Sequence, residues 1–311
     1  MWRYFLKRCL WLIFVLVGTA CVIFTIMYMV PGDTVSAMFG GDASQAQMEA
    51  MRDKMGLNDT YIVQLGRYLY NLFIKFDLGT SVLYNQPVVD ELMRRLPRTM
   101  ALGWTSIILN TLAGIPLGVM AALHQNKWQD NLCMGIALLG VSTADFWRAF
   151  IFIMVFSVHL NWLPPFGTGG IQYYILPILS IVFSGIAVNA RLTRSSMLEV
   201  MRADYISTAR SKGISERKVT LKHMLPNALL PVITSMGNGL GNAIAGTVII
   251  ETIFSIPGIG TYLLKGINMR DYAIVEGSVV ILAFFNAIIQ MLVDLVYALI
   301  DPRIKAQYSG K

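Results

Sequence analysis

Residues Arg191 to Pro226 read RLTRSSMLEVMRADYISTARSKGISERKVTLKHMLP, with eight basic against three acidic side chains. What flanks this stretch decides the fold. Ile171–Ala190 precedes it and Leu229–Ile250 follows, and neither run holds an Asp, Glu, Lys or Arg. Each has the roughly 20 apolar residues that a helix needs to cross a bilayer. A basic segment between two such runs reads as a structured cytoplasmic loop.

The rest of the chain agrees. Of 311 residues, 55% are hydrophobic and 14% charged, against roughly 25% charged in a soluble domain. Further apolar runs are Cys9–Val30, Thr99–Leu123, Asn131 to about Asn161, and Gly277–Ile300. The first exceeds the h-region of a signal peptide and lacks a small-x-small cleavage site, so it reads as a first span. Leu163-Pro164-Pro165-Phe166-Gly167 and Gly169-Gly170 make the turn between spans three and four. The class is therefore all-α: a polytopic membrane protein with about six transmembrane helices and both termini on one side.

With the N-terminus inside, cytoplasmic segments hold 15 Lys and Arg and outside segments nine, seven of those nine in the long first loop, Pro31–Arg98. Charges far from span ends count little, so the short loops favour cytoplasmic termini. The net charge of +7 is then loop bias facing the lipid bilayer, with no nucleic acid implied. In the first loop, Gln45–Leu57, Tyr61–Phe76 and Pro87–Leu96 have helical apolar spacing, which predicts a folded cap. The chain divides into residues 1–30, an N-terminal region with span one; 31–98, an extracytoplasmic cap; and 99–311, a transmembrane domain carrying loop 191–226.

Inside that loop, Asp204 can begin a short helix through Tyr205, Ile206, Ala209 and Arg210, which Gly213 would end at positive φ. Ser215 can cap a second helix, Glu216 to Met224. The pair forms a knob whose apolar side, Tyr205, Ile206, Ala209 and Ile214, suits another protein's groove. A plain solvated basic loop is the bland alternative.

Ser207-Thr208-Ala209-Arg210-Ser211-Lys212-Gly213, followed by Leu225-Pro226, resembles the coupling-loop signature of bacterial ABC importer permeases. Its Thr-Ala-Arg-x-Lys-Gly form is similar to the branch serving peptides, glutathione and nickel. That branch also matches at Val30-Pro31-Gly32-Asp33, Asp77-Leu78-Gly79, Ala190-Arg191-x-x-Arg194, Pro257-Gly258-x-Gly260, Arg270-Asp271-Tyr272 and Asp301-Pro302-Arg303. The resemblance implies an ABC importer permease fold and a transport subunit rather than an enzyme. It implies a second homologous permease subunit, two ATP-binding subunits and an extracytoplasmic substrate-binding protein. It also marks Asp204, Tyr205, Thr208, Ala209, Arg210, Lys212, Gly213, Leu225 and Pro226 as the ATPase-coupling residues. No cofactor is expected on this chain; ATP and Mg belong to the partners, and no G-x-x-x-x-G-K-[ST] phosphate loop occurs here.

Other polar features are weighed against bland readings. Asp145 and Arg148 stand at i,i+3 spacing within the third apolar run, where an unpaired charge is expensive; they form a structural ion pair or line a pathway. Asn189, Asn238 and Asn242 are further intramembrane candidates, and Gly237, Gly239, Gly241 and Gly246 fit close helix packing or a polar path. His124, His159 and His223 are too scattered for a metal site, and Cys9, Cys21 and Cys133 have no CxxC spacing. No catalytic group and no metal ligand is assigned. An ion-driven transporter acting alone is the rival reading; it would use Asp145, Arg148 and Asp294. Phe146-Trp147 and the stretch Phe156 to Pro164 resemble nickel permeases.

Overall fold

A computed structural model describes residues 2–39, 44–82 and 84–300; within its helices, the side chains of residues 2–7, 238, 240–246 and 294–300 lie outside the description. The terminal Asp301-Pro302-Arg303 motif and the side chain of Asp294 fall outside it. The elements in order are α1 (Trp2–Met29), α2 (Thr34–Phe39), α3 (Gln45–Met55), α4 (Tyr61–Phe73), the two-residue strands β1 (Thr80–Ser81) and β2 (Gln86–Pro87), and α5 (Val88–Leu123). Then come α6 (Trp128–Ser142), α7 (Asp145–Phe152), a π-helical turn at Ile153–His159, α8 (Gln172–Met201), α9 (Asp204–Ser211) and α10 (Glu216–Lys218). A second π turn, Val219–Met224, leads into α11 (Leu225–Ile253), α12 (Ile259–Met269) and α13 (Tyr272–Ile300).

Among the described residues, segments of α1, α5, α8 and α13 are long and apolar enough to cross a membrane, and α6 with α7 and the π turn after it reaches that length and apolarity only as a pair bent by 103°, a broken span or a re-entrant loop. The sixth apolar run of the sequence is α11, whose 29 residues reach about 43 Å at 1.5 Å per residue. Three boundaries differ from the sequence reading. Helix α5 starts at Val88 and runs through Pro97 without interruption, so the last predicted cap helix and the second span are one rod. Helix α8 continues to Met201, eleven residues past Ala190, because nothing in Arg191–Met201 breaks a helix. The helix expected to stop at Met224 instead passes through a π turn into α11, with Pro226 as the second residue of α11.

The chain contacts itself in two units: residues 1–99 with 257–291, and residues 100–256 with the end of the last helix. The cap is thus not a contiguous piece, since Pro257–Met291 joins it. In the first unit, Val88, Leu92, Ile259, Tyr262 and Ile274 form one core and Ala20, Leu72 and Val280 another. Two motifs far apart in sequence meet here: Thr34 Oγ1 donates to the Arg270 carbonyl (2.7 Å) and Tyr272 Oη to the Gly32 carbonyl (2.8 Å). A Cβ on Gly32, at φ +93°, would lie 1.8 Å from the Arg270 guanidinium. Buried Asp271 accepts the Ser81 hydroxyl at 2.7 Å, tying the small hairpin to the start of α13.

On the cap surface, Ser44 and Gln47 form a capping box at the start of α3. Arg52 reaches from α3 to Asp33, Nε to Oδ2 at 2.5 Å. Burial raises the pKa of Asp33, but the hydrogen bonds from Arg52 and Ser36 outweigh it and hold the carboxyl at about 2.

The second unit packs around α8, which lies against α6, α7 and α11. Leu102, Ala149, Leu176, Ile250, Phe254 and Ile256 make one core, and Ala122, Met197, Ile206, Ala209, Val219, Met224 and Ala228 another.

Candidate functional site

The predicted knob is present, and its turn is built as the glycine requires. Helix α9 starts at Asp204, whose carboxylate suits the positive end of the helix dipole. It ends in a Schellman-type closure, with Gly213 N–H bonded to the Arg210 carbonyl (2.9 Å) and Ile214 N–H to the Ala209 carbonyl (3.4 Å). Gly213 sits at φ +73° with nothing within 4 Å of a notional Cβ, so only backbone conformation demands glycine there. Ser215 has the extended backbone of an N-cap but no side-chain cap hydrogen bond, so its predicted capping role is not met. Arg210 closes the turn from outside, donating to both carboxylate oxygens of Glu216 at 2.8 and 3.3 Å.

The apolar side of the knob is not free. Ile206, at 0% exposure, and Ala209 are buried against Ala122 of α5, Met197 of α8 and Ala228 of α11, with Ile214 and Leu225 packed around them. Burying a side chain the size of Ile206 contributes about 2 kcal/mol. Tyr205 does not join this face: it is exposed, and its hydroxyl accepts from Asn227 Nδ2 at 3.2 Å. The outward surface is therefore mostly polar, with Asp204, Thr208, Arg210 and Lys212 exposed beside Tyr205, Gly213, Leu221 and Pro226. The knob is fixed by apolar packing to the ends of three long helices and shows charge and hydroxyl to the outside.

Asp145 and Arg148 do pair, at a break between two helices and not within one. Thr143 and Ala144 are extended, α7 begins at Asp145, and the pair sits on the sharp bend. A helix end leaves carbonyls without partners, which is costly away from water. The Arg148 guanidinium supplies the missing donors at the end of α6, bonding the Gly140 carbonyl (2.8 Å), the Thr143 carbonyl and Thr143 Oγ1 (2.8 Å), and it reaches across to the Ser180 carbonyl within α8 (3.1 Å). Its remaining nitrogen meets Asp145, which also accepts the Ser184 hydroxyl at 3.1 Å. Exposure is unequal, with the Arg148 side chain at 4% and Asp145 at 40%.

Asn189 is buried and donates to Asn110 Oδ1 of α5 at 2.9 Å. Around this pair the helices approach closely: a Cβ on Gly114 would lie 2.8 Å from Asn189 Cβ, one on Gly118 2.5 Å from the Ala190 carbonyl, and one on Gly185 2.2 Å from Asn110. Gly237 likewise faces Val293 at 2.1 Å, whereas Gly239 meets nothing within 4 Å. The side chains of Asn238 and Asn242 lie outside the description.

Three polar residues went unassigned by sequence reasoning. Asn110 lies inside a span with no motif around it. Asp130, 2% exposed, holds Arg194 through both oxygens at 2.5 and 2.6 Å and accepts the Asn126 N–H at 2.9 Å, pinning the α5–α6 turn to α8. The Arg191-x-x-Arg194 spacing was the only signal for it. In the first unit, buried Glu276 lines a cavity of 220 Å³ with Tyr68, whose hydroxyl has no hydrogen-bond partner among the described residues.

Comparisons with known proteins cover nearly the whole chain. Residues 114–306 match the model for the binding-protein-dependent transport system inner membrane component, and residues 1–103 match its N-terminal membrane-component model. The chain is 38% identical to the dipeptide transport system permease protein DppB of Alkalihalophilus pseudofirmus, over 98% of this chain and 100% of that one. It is 37% identical to the glutathione transport system permease protein GsiC of Escherichia coli O6:H1, over 98% and 99%. Among solved structures it resembles a chain of the MetNI methionine ABC transporter in an inward-facing form, with TM-score 0.56 at 16% identity, over 68% of this chain and 96% of that one; this likeness concerns the fold. The chain belongs to the binding-protein-dependent transport system inner membrane components, the permease subunits of ATP-binding-cassette importers.

Proposed function

We propose that this permease forms half of an import pathway for peptides, with the α9–α10 knob as its contact with an ATPase subunit. The observation that carries the coupling role is the knob's construction: a polar outward face fixed by Ile206 and Ala209 to α5, α8 and α11. A push on such a knob moves span ends instead of being absorbed by a soft loop. The peptide assignment rests on relatives named for dipeptide and glutathione transport; the local likeness to nickel permeases gains no support from them. A second homologous permease completes the pathway, two ATP-binding subunits drive it, and a binding protein delivers substrate outside. Both termini lie on the cytoplasmic side in this reading, which the short-loop charges favour.

The experiment is site-specific crosslinking from Lys212→Cys in the assembled importer. The introduced thiol is expected to crosslink to the ATPase subunit and to be blocked only by thiol reagents that reach the cytoplasm. Labelling of that thiol from outside the cell would overturn the orientation, and an importer whose ATPase crosslinks elsewhere but never through the knob would overturn the contact.

A further inference from the structure

Among the described residues, the other buried charged groups have partners: Asp130 holds Arg194, Arg148 meets Asp145, Asp271 accepts the Ser81 hydroxyl, and Glu251 is bonded too. Glu276 is the exception. One turn into α13 and only 8% exposed, it has neither a hydrogen bond nor an ion pair among the described residues. Its place is fixed, because Tyr272 is tied to the Gly32 carbonyl and a Cβ on the next residue, Gly277, would lie 2.9 Å from Val88.

The Glu276 side chain lines the 220 Å³ cavity enclosed by α2, α4, the small hairpin and the start of α13. Tyr68 reaches the same cavity from α4, and its buried hydroxyl also lacks a partner. Asp77 and Asn71 add oxygens at the wall, one oxygen of Asp77 being taken by the Gly79 N–H at 2.8 Å. No Lys, Arg or His stands among the described lining residues, and the rest of the wall includes Met55, Leu57, Leu78 and Val82.

A carboxylate offers about four acceptor positions, and holding one away from water without a counter-charge is costly. A cationic ligand removes that cost. Among the described residues no three His, Cys, Asp or Glu side chains gather to hold a metal ion, and a hard divalent ion takes about six oxygens or more. A primary ammonium suits the walls better. Its three N–H donors can meet the oxygens of Glu276 and Tyr68, and a short aliphatic stem can lie on the apolar side. The volume is below the roughly 300 Å³ at which drug-sized pockets begin, so it admits one such stem and not a whole peptide.

We propose that this cavity binds a primary ammonium group presented when the substrate-binding protein docks, with Glu276 as its counter-charge and Tyr68 as a second acceptor. Two sources carry that chemistry: the amino terminus of a small peptide cargo, and a lysine of the binding protein itself. The site's chemistry does not rest on the coupling role of the knob or on peptides being the cargo.

The probe is n-butylammonium chloride, added to the complete importer in nanodiscs while hydrogen exchange is followed over residues 61–87. Exchange should slow several-fold and saturably, far less in Tyr68→Phe and not at all in Glu276→Gln, an isosteric change that leaves the cavity's shape. No slowing, equal slowing by sodium chloride at the same ionic strength, or slowing that survives Glu276→Gln would each overturn the proposal. Docking of the binding protein then separates the sources. If a lysine is the source, n-butylammonium weakens docking several-fold with or without cargo; if a peptide amino terminus is the source, it weakens only the loaded form. Docking that is unchanged in both forms would overturn the proposal.

Discussion

The second unit interrupts its helices in two ways, at Gly213 and at Thr143–Ala144. At Gly213 the open carbonyls are closed by neighbouring backbone N–H groups, because a glycine at positive φ turns the chain back on itself. At Thr143–Ala144 the chain stays extended and a side chain five residues on supplies the donors. The difference follows from surroundings. An exposed turn has water as a reserve partner, whereas a bend in an apolar layer must be satisfied within the protein.

The strongest test of this contrast is at Arg148. Removing it leaves the carbonyls of Gly140 and Thr143 without their donor, and we expect Arg148→Gln to cost several kcal/mol, at about 1–3 kcal/mol for each buried acceptor left unsatisfied. Asp145→Asn should cost much less, since Asp145 is 40% exposed and the carbonyl bonds survive it. Recovery of folded importer after detergent extraction measures both; equal losses would mean that the ion pair, not the carbonyls, holds the bend.

At Gly213 a smaller and conformational effect is expected. Because a side chain there meets no neighbour, Gly213→Ala should cost about 1–2 kcal/mol from φ alone, Gly213→Asn less, and Gly213→Val more. If Asn and Val variants lose the same amount of ATPase on co-purification, strain at the turn is not the cause.

Asp33 and Arg52 show the same pairing of charges in a wetter place. The depressed pKa of Asp33 means that the pair's contribution is complete above about pH 4, the ordinary carboxylate range, and is lost as pH falls through about 2. Hydrogen-exchange protection of α3, relative to the intrinsic rate at each pH, should fall across that window, and Arg52→Gln should weaken the pH dependence while the Ser36 hydrogen bonds keep part of it.

The smallest effect is expected at the exposed Arg210–Glu216 pair, where Glu216→Gln should change stability by less than about 1 kcal/mol and added salt should erase the difference.

This contrast also explains what the sequence revealed. The Gly213 turn was legible because a glycine between polar helical stretches has a local cause and a local signature. The bend at Thr143 was not, because Ser142-Thr143-Ala144 carries no proline or glycine and its stabilising contacts include Ser180, 32 residues away from Arg148. Asp145 and Arg148 were recognised as a pair by spacing, but spacing alone cannot tell a helix interior from a helix start. The fusion of α8 and α11 to the knob was missed for a related reason: polarity marks where a chain leaves the membrane, not where its helix ends. Tyr205 was placed on the apolar side by composition, and the packing of Ile206 turned it outward.

The central claim is that the knob transmits ATPase motion, and substrate-stimulated ATP hydrolysis measured together with uptake in a Gly213→Val importer tests it most directly. Both should fall together while the chain still inserts in the membrane, with Gly213→Asn retaining most of each. Normal ATPase recovery with normal substrate-stimulated hydrolysis and uptake in the Gly213→Val importer would contradict it.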